Sequence, residues 1–398
     1  MATLIRLEEP SRRRLTDARF ALWALGFRPF YLLASLHASL SIALWTAQFV
    51  GWLPGAYLHG PLWHAHEMLF GFVLAVIVGF LLTAARTWTG RDTLDGAPLM
   101  LLALLWLSAR VLVITPWGWA AAVTNTLFPL VSAAVLAVPL VRARARRNYV
   151  FPALLVLFAL ASLGVHGAAL GLLSVPGRSS VQLALDVVLF ILVVMAGRVI
   201  PPFTANGVPG TRPRRLPWLE RLSLGLVLLV LIGDLLPVPA TAMACLLGAA
   251  TLAHGGRLLL WRSLGTRGTP LVWVLHLGYG WIVLHLALRT LVEAGWIGAS
   301  VAIHALTAGA IGTLTLGMMT RTAKGHTGRA LRADRFDVAC YVLVQGGAIV
   351  RVLGALAAPT LLVPSVLGSG VLWSAAFALY AVRYWPVLTR ARIDGLPG

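Results

Sequence analysis

Apolar segments of roughly 20 residues recur about twelve times along this chain, and each is long enough to cross a bilayer as a helix. They lie near Ala21–Val50, Trp63–Ala85, Ala97–Val113, Trp119–Val141, Val150–Ser174 and Val181–Pro201, then Trp218–Leu236, Ala240–Leu260, Leu271–Val292, Ala299–Thr320, Phe336–Ala357 and Leu361–Trp385. Only 11% of the 398 residues are charged, where a soluble domain carries about 25%. The expected fold is all-α and polytopic, a single integral membrane domain over residues 1–398. Gly and Pro punctuate the junctions, as at Trp52-Leu53-Pro54-Gly55 and Thr115-Pro116.

The net charge is +19. Nucleic acid is not the expected partner, because Lys and Arg fall in short runs between apolar segments, the pattern of cytoplasmic loops facing anionic lipid. Arg6, Arg12, Arg13, Arg14 and Arg19 precede the first segment, and Arg or Lys clusters follow the even-numbered ones; the intervening loops contain Arg178 and nothing else basic. By the positive-inside rule both termini are cytoplasmic. The two cysteines, Cys245 and Cys340, lie inside apolar segments, so neither a disulfide framework nor a thiolate metal site is indicated.

Against this apolar background the second segment opens with His64-Ala65-His66-Glu67, and residues 70–83 contain no ionisable group. Ionisable side chains inside a membrane are costly and are functional candidates by default. His64, His66 and His304 fall near the outer ends of the second and tenth segments, and His166 and His285 about 12 Å deeper. His276 lies towards the inner side. Neutral imidazole is the usual haem-iron ligand and also binds copper. His64 and His66 are about 200° apart around an ideal helix. They could serve two different metals, or His64 could cap the helix while His66 faces inward. Glu67 shares a face with His64, so it could orient that ring or handle protons beside a metal. Haem propionates need cationic partners; Arg110, Arg289 and Arg351 are the candidates, although Arg289 has Glu293 one turn away. The bland account of a single membrane histidine, such as His37 or His254, is a hydrogen bond to a neighbouring helix.

One echo crosses the chain. The second segment begins His64-Ala65 and ends Thr89-Gly90-Arg91, and the tenth begins His304-Ala305 and ends Thr327-Gly328-Arg329. A parallel repeat offset by eight helices would produce this, as would chance among apolar helices.

Several motifs together resemble the NnrS family: Ala24-Leu25-Gly26-Phe27-Arg28-Pro29-Phe30, Trp63-His64-Ala65-His66-Glu67-Met68 with Gly71, Gly79-Phe80-Leu81-Leu82-Thr83, Leu275-His276-Leu277-Gly278-Tyr279-Gly280-Trp281, His304 through Gly312, and Met318 through Arg329. The resemblance implies a bacterial inner-membrane protein of about twelve helices that contains haem, read as b-type, and copper, and that is associated with nitric oxide stress during denitrification or host attack. It places His64, His66, Glu67, His276 and His304 in family motifs without saying which metal each binds. Haem-copper oxidases and nitric oxide reductases offer a looser analogy, with histidines on helices 2 and 10. The sixth and seventh segments here contain no histidine, so a second metal would draw ligands from His64, His166, His276 or His285.

The leading expectation is a nitric oxide-reducing oxidoreductase with haem and copper, taking electrons from a membrane quinol, with Glu67 delivering protons. The alternative is a non-enzymatic sensor or transporter that binds haem or copper.

Overall fold

A computed structural model describes residues 20–53, 57–174 and 176–396. The basic cluster Arg6 to Arg19 and the Pro54-Gly55 turn lie outside the described residues. Among the described residues there is no strand, and twelve long helices follow one another. They are α1 (Phe27–Phe49), α2 (Gly60–Thr89), α3 (Gly96–Val113), α4 (Gly118–Arg142), α5 (Val150–Ala169) and α6 (Gly177–Gly207), then α7 (Pro217–Leu235), α8 (Ala240–Leu260), α9 (Pro270–Glu293), α10 (Ala299–His326), α11 (Arg335–Ala357) and α12 (Leu362–Thr389). All but α7 are long and apolar enough to cross a membrane. The chain is a multi-pass membrane protein. The exception, α7, carries Glu220, Arg221 and Asp234 within its 19 residues.

The first helix starts at Phe27, not at Ala21 as the apolar run suggests. Residues 22–26 form turns, and the Phe27 N–H donates to the Thr83 hydroxyl at 3.0 Å. Gly26 lies against Leu82, where a Cβ would come within 2.8 Å, and Pro29 falls in the first turn, where its missing N–H costs nothing.

First and last helices meet at one end of the bundle. The Ala21 N–H donates to the Thr389 carbonyl at 2.6 Å, and Arg28 donates to the carbonyls of Leu388 and Arg390 at 3.0 and 2.8 Å. Arg392 reaches the His326 carbonyl at 3.0 Å, which places the end of α10 at this basic end as well. There Asp394 is held down to about 2 by two hydrogen bonds from the Arg392 guanidinium.

Large apolar side chains such as Leu252, Leu259, Val371 and Val382 point outward. On a soluble protein such a surface would aggregate; here it faces lipid. Between α1 and α12 the seam is built from small residues: Ser39 and Ser374 donate to each other's carbonyls at 2.9 and 3.0 Å, and Gly370 lies directly against Thr46. Close approach of small residues is how membrane helices gain packing without a hydrophobic drive. The most enclosed spans are α2 and α10, and both depart from α-geometry. A π-helical turn occupies Glu67–Val73 in α2 and Ala305–Ile311 in α10. Such turns add one residue to the helical repeat and are concentrated at functional sites.

Candidate functional site

The π turn of α2 begins at Glu67, and a buried polar cluster gathers around that carboxylate. Arg110 of α3 donates to Oε1 at 2.6 Å, and the His66 Nδ1–H donates to the same oxygen at 2.7 Å. His37 of α1 places Nε2 at 3.3 Å from Oε2 and at 3.2 Å from the Glu67 backbone oxygen. The other arm of Arg110 bonds the Asn125 side-chain oxygen, and Asn125 donates to the Ala121 carbonyl at 2.8 Å. One carboxylate and one guanidinium thus neutralise each other in a site from which water is excluded, and hydrogen bonds satisfy most of their remaining atoms. Removing one partner of such a pair costs far more than the pair itself contributes.

A wider turn leaves carbonyls off the ordinary ladder, and within a membrane these need donors from protein. His37 reaches the Glu67 carbonyl, and the Trp106 indole N–H donates to the Gly71 carbonyl at 3.0 Å. Gly71 has to be glycine here: a Cβ would collide with the His37 ring and sit 3.0 Å from Arg110.

His66 extends this cluster to α5. Its Nε2 lies 3.1 Å from the Nε2 of His166, and both side chains are fully buried. Because a carboxylate accepts only, His66 carries its proton on Nδ1 and turns the Nε2 lone pair towards His166. On the far side of His166, Nδ1 lies 3.4 Å from the Tyr57 hydroxyl, whose ring stacks on the imidazole. A carboxylate behind a histidine whose other nitrogen is free is the arrangement that orients metal-ligating imidazoles. Two imidazoles bound to one tetrahedral ion at about 2.0 Å would hold their nitrogens about 3.3 Å apart. The pair therefore fits a copper ion with two nitrogen ligands. Among the described residues, no group of three or more His, Cys, Asp or Glu is placed to hold a metal.

His64 points elsewhere. It lines a cavity of about 850 Å³ together with His304 of α10, Arg351 of α11 and Arg178 at the start of α6. The walls are largely apolar and include Trp45, Leu69, Phe72, Ile311 and Trp373. The His64 ring stacks on Trp45 with centroids 4.9 Å apart, and its buried Nδ1 has no hydrogen-bond partner. The His304 Nδ1–H donates to the Ser300 carbonyl at 2.7 Å, which leaves Nε2 as the lone-pair nitrogen. Arg351 keeps a buried Nη1 without a partner. Two histidines, apolar walls and an unspent guanidinium are a donor set that fits a haem. The volume lies within the range of cofactor pockets, about 300–1,000 Å³.

The expectation that Glu67 orients His64 is not met. Glu67 bonds His66 and His37 instead, and Arg110 donates to the same carboxylate. Arg110 does not lack a partner and does not line the cavity; it is committed to Glu67. Arg289 is likewise taken, giving both terminal nitrogens to Asp234 with Glu293 at 3.9 Å. His276 joins neither site: its Nε2 contacts the Thr204 hydroxyl at 2.8 Å. His285 donates Nδ1–H to the Ala302 carbonyl at 2.8 Å and does not line the cavity. Arg257 does not reach out to the membrane surface; it is buried, bidentate to Glu220 at 2.8 and 3.2 Å, and bonded to the Tyr279 hydroxyl. Tyr57, Asn125, Gln182 and Asp234 were not singled out by the sequence. Asn125 and Asp234 could have been, as isolated polar residues in apolar helices.

The two π turns relate α2 to α10 more closely than the sequence echo does. A single spacing of 238 residues separates His66 from His304, Gly71 from Gly309, Gly79 from Gly317, Ala85 from Ala323 and Thr89-Gly90-Arg91 from Thr327-Gly328-Arg329. Both π turns start one residue after the histidine. Thr89 and Thr327 each donate to the alanine four residues back at 2.6 Å. Gly309 lies under Trp281 of α9 as Gly71 lies under His37 of α1. In this register the counterpart of His304 is His66, not His64, and the counterpart of Glu67 is Ala305.

A search among curated proteins finds no significant match. The family model described as "NnrS protein" matches residues 21–392, from the turn before α1 to the Arg392 that closes the basic end. With its motifs on α1, α2, α9 and α10 and its match over nearly the whole chain, this protein belongs to the NnrS family.

Proposed function

We propose that this protein holds haem in the His64–His304 cavity and copper at the His66–His166 pair, and that it removes nitric oxide by reducing it. The observation that carries the reading is the convergence of His64, His304 and Arg351 on one apolar cavity of about 850 Å³. His64 and His304 are the imidazoles that would hold haem, and Arg351 with Arg178 would be the cationic partners of its propionates. Haem bound there would supply an iron site for nitric oxide and electrons that a membrane quinol would replace. On the opposite face of α2, Glu67 fixes the His66 ring, Arg110 fixes Glu67, and the apolar bundle buries the His66–His166 pair. Family membership fits a role in nitric oxide metabolism. The alternation of basic loops supports cytoplasmic termini, and the bacterial inner membrane is the location that the family resemblance implies.

Absorption spectra of the purified protein, oxidised and reduced, test the haem assignment. A Soret band that disappears in His64→Ala or His304→Ala is expected, and a fully loaded preparation without one overturns it. Nitric oxide uptake by proteoliposomes supplied with quinol tests the activity. A protein with full haem and copper that consumes no nitric oxide would be a sensor or transporter.

A further inference from the structure

One wall of the cavity leads into a second group of buried carboxylates that neither metal site uses. Gln182 of α6 lines the cavity and points its amide away from it, reaching Asp186 Oδ1 at 3.0 Å and Asp234 Oδ2 of α7 at 3.4 Å. Arg289 of α9 gives both terminal nitrogens to Asp234, and the nearer of them is still 3.9 Å from Asp186. The second Asp186 oxygen, Oδ2, is buried and has no hydrogen-bond partner.

We propose that Asp186 and Asp234 hold one proton between them and form an acid site directly behind Gln182, one side chain from the His64–His304 cavity. The charges do not balance otherwise. Two ionised carboxylates would face one guanidinium, and Asp186 would leave a bare anionic oxygen in a membrane interior, where unpaired charge is costly. Two carboxylates that share donors this closely do not both ionise. A proton on Asp186 removes the bare anionic charge at Oδ2 and leaves Asp234 as the one ionised aspartate facing Arg289. The other groups nearby do not replace that proton. His285, one turn before Arg289, gives its Nδ1–H to a backbone carbonyl. Glu293, one turn after it, brings a further negative charge.

Exposure falls steadily along this row of side chains, from 25% at Glu293 through 12% at Arg289 and 10% at Asp234 to 4% at Asp186. The acid is therefore reached from the end of the bundle opposite the basic connections and stops one side chain short of the cavity. Reduction of two nitric oxide molecules to nitrous oxide and water takes up two electrons and two protons. With quinol as the source of electrons, the aspartate pair gives up its one proton towards the cavity twice per turnover and refills each time from the side of Glu293. This use of the proton rests on the nitric oxide reading; the acid site itself does not.

Infrared spectroscopy of the full-length protein in liposomes at neutral pH tests the proposal. A protonated-carboxyl C=O band that moves in heavy water is expected in the wild type. It should be lost in both Asp186→Asn and Asp234→Asn, kept in Glu293→Gln, and kept but shifted in Asp186→Glu, with size-exclusion profile and helical circular dichroism unchanged. Absence of the band from the wild type overturns the proposal without any variant, as does its survival in either asparagine variant. If the wild type shows the band and loses it in both variants yet consumes no nitric oxide, the acid site stands and the nitric oxide reading falls.

Discussion

The Nε2 atoms of His66 and His166 face each other at 3.1 Å, with Glu67 behind the first ring and Tyr57 behind the second. Neither ring lines the cavity that contains His64 and His304. Copper and haem content should therefore respond to different substitutions. His66→Ala and His166→Ala are expected to lose bound copper and keep the Soret band. His64→Ala and His304→Ala are expected to do the reverse. Metal analysis and haem quantification on the four variants check this, and parallel loss of both groups in every variant would refute the two-site arrangement.

Glu67 and Arg110 are a buried ion pair, and such pairs are far costlier to break than to replace. Arg110→Ala leaves an uncompensated carboxylate and should destabilise the protein by about 3–5 kcal/mol. Glu67→Gln together with Arg110→Met removes both charges and should recover most of that loss. Thermal unfolding in detergent, followed by circular dichroism, reads the difference; equal losses in the single and double variants would contradict it.

Gly71 sits beneath the His37 ring at the π turn. Gly71→Ala should displace His37 from Glu67, costing about 1–3 kcal/mol by overpacking, and should weaken copper binding before it affects haem. Copper affinity of the variant against wild type is the measurement.

Arg351 has a buried guanidinium nitrogen without a hydrogen-bond partner at the cavity wall. If the proposed haem site is right, Arg351→Met is expected to lower haem affinity by at least tenfold with the helical signal unchanged, because Arg351 makes no ion pair among the described residues. Haem transfer to apomyoglobin measures it, and an unchanged transfer rate would remove Arg351 from the haem site.

Twelve helices and their order were legible in the sequence because a membrane demands long uninterrupted apolar runs, and little else produces them. The start of α1 was not, since residues 21–26 are apolar yet form turns stopped by contacts with Leu82 and Thr83 from another helix. The candidate histidines were visible for the same reason that the helices were: each is an ionisable group where few occur. The 200° between His64 and His66 on an ideal helix already allowed two sites; what completes each site was not visible, because His166, Arg351 and the cavity walls come from other helices. Arg110 looked unpaired because its partner lies on a different helix, 43 residues away.

A π turn stands one residue from an ordinary helix, so it can shift along the chain and rotate the side chains it passes by about 100°. In α2 that movement is blocked, because His37 and Trp106 hold carbonyls of the turn from two neighbouring helices. Among the described residues, no side chain donates to the corresponding carbonyls of Ala305 and Gly309 in α10. Of the two histidines related by the 238-residue register, His66 is therefore followed by a turn tied to two neighbouring helices by hydrogen bonds, and His304 by one held through packing under Trp281.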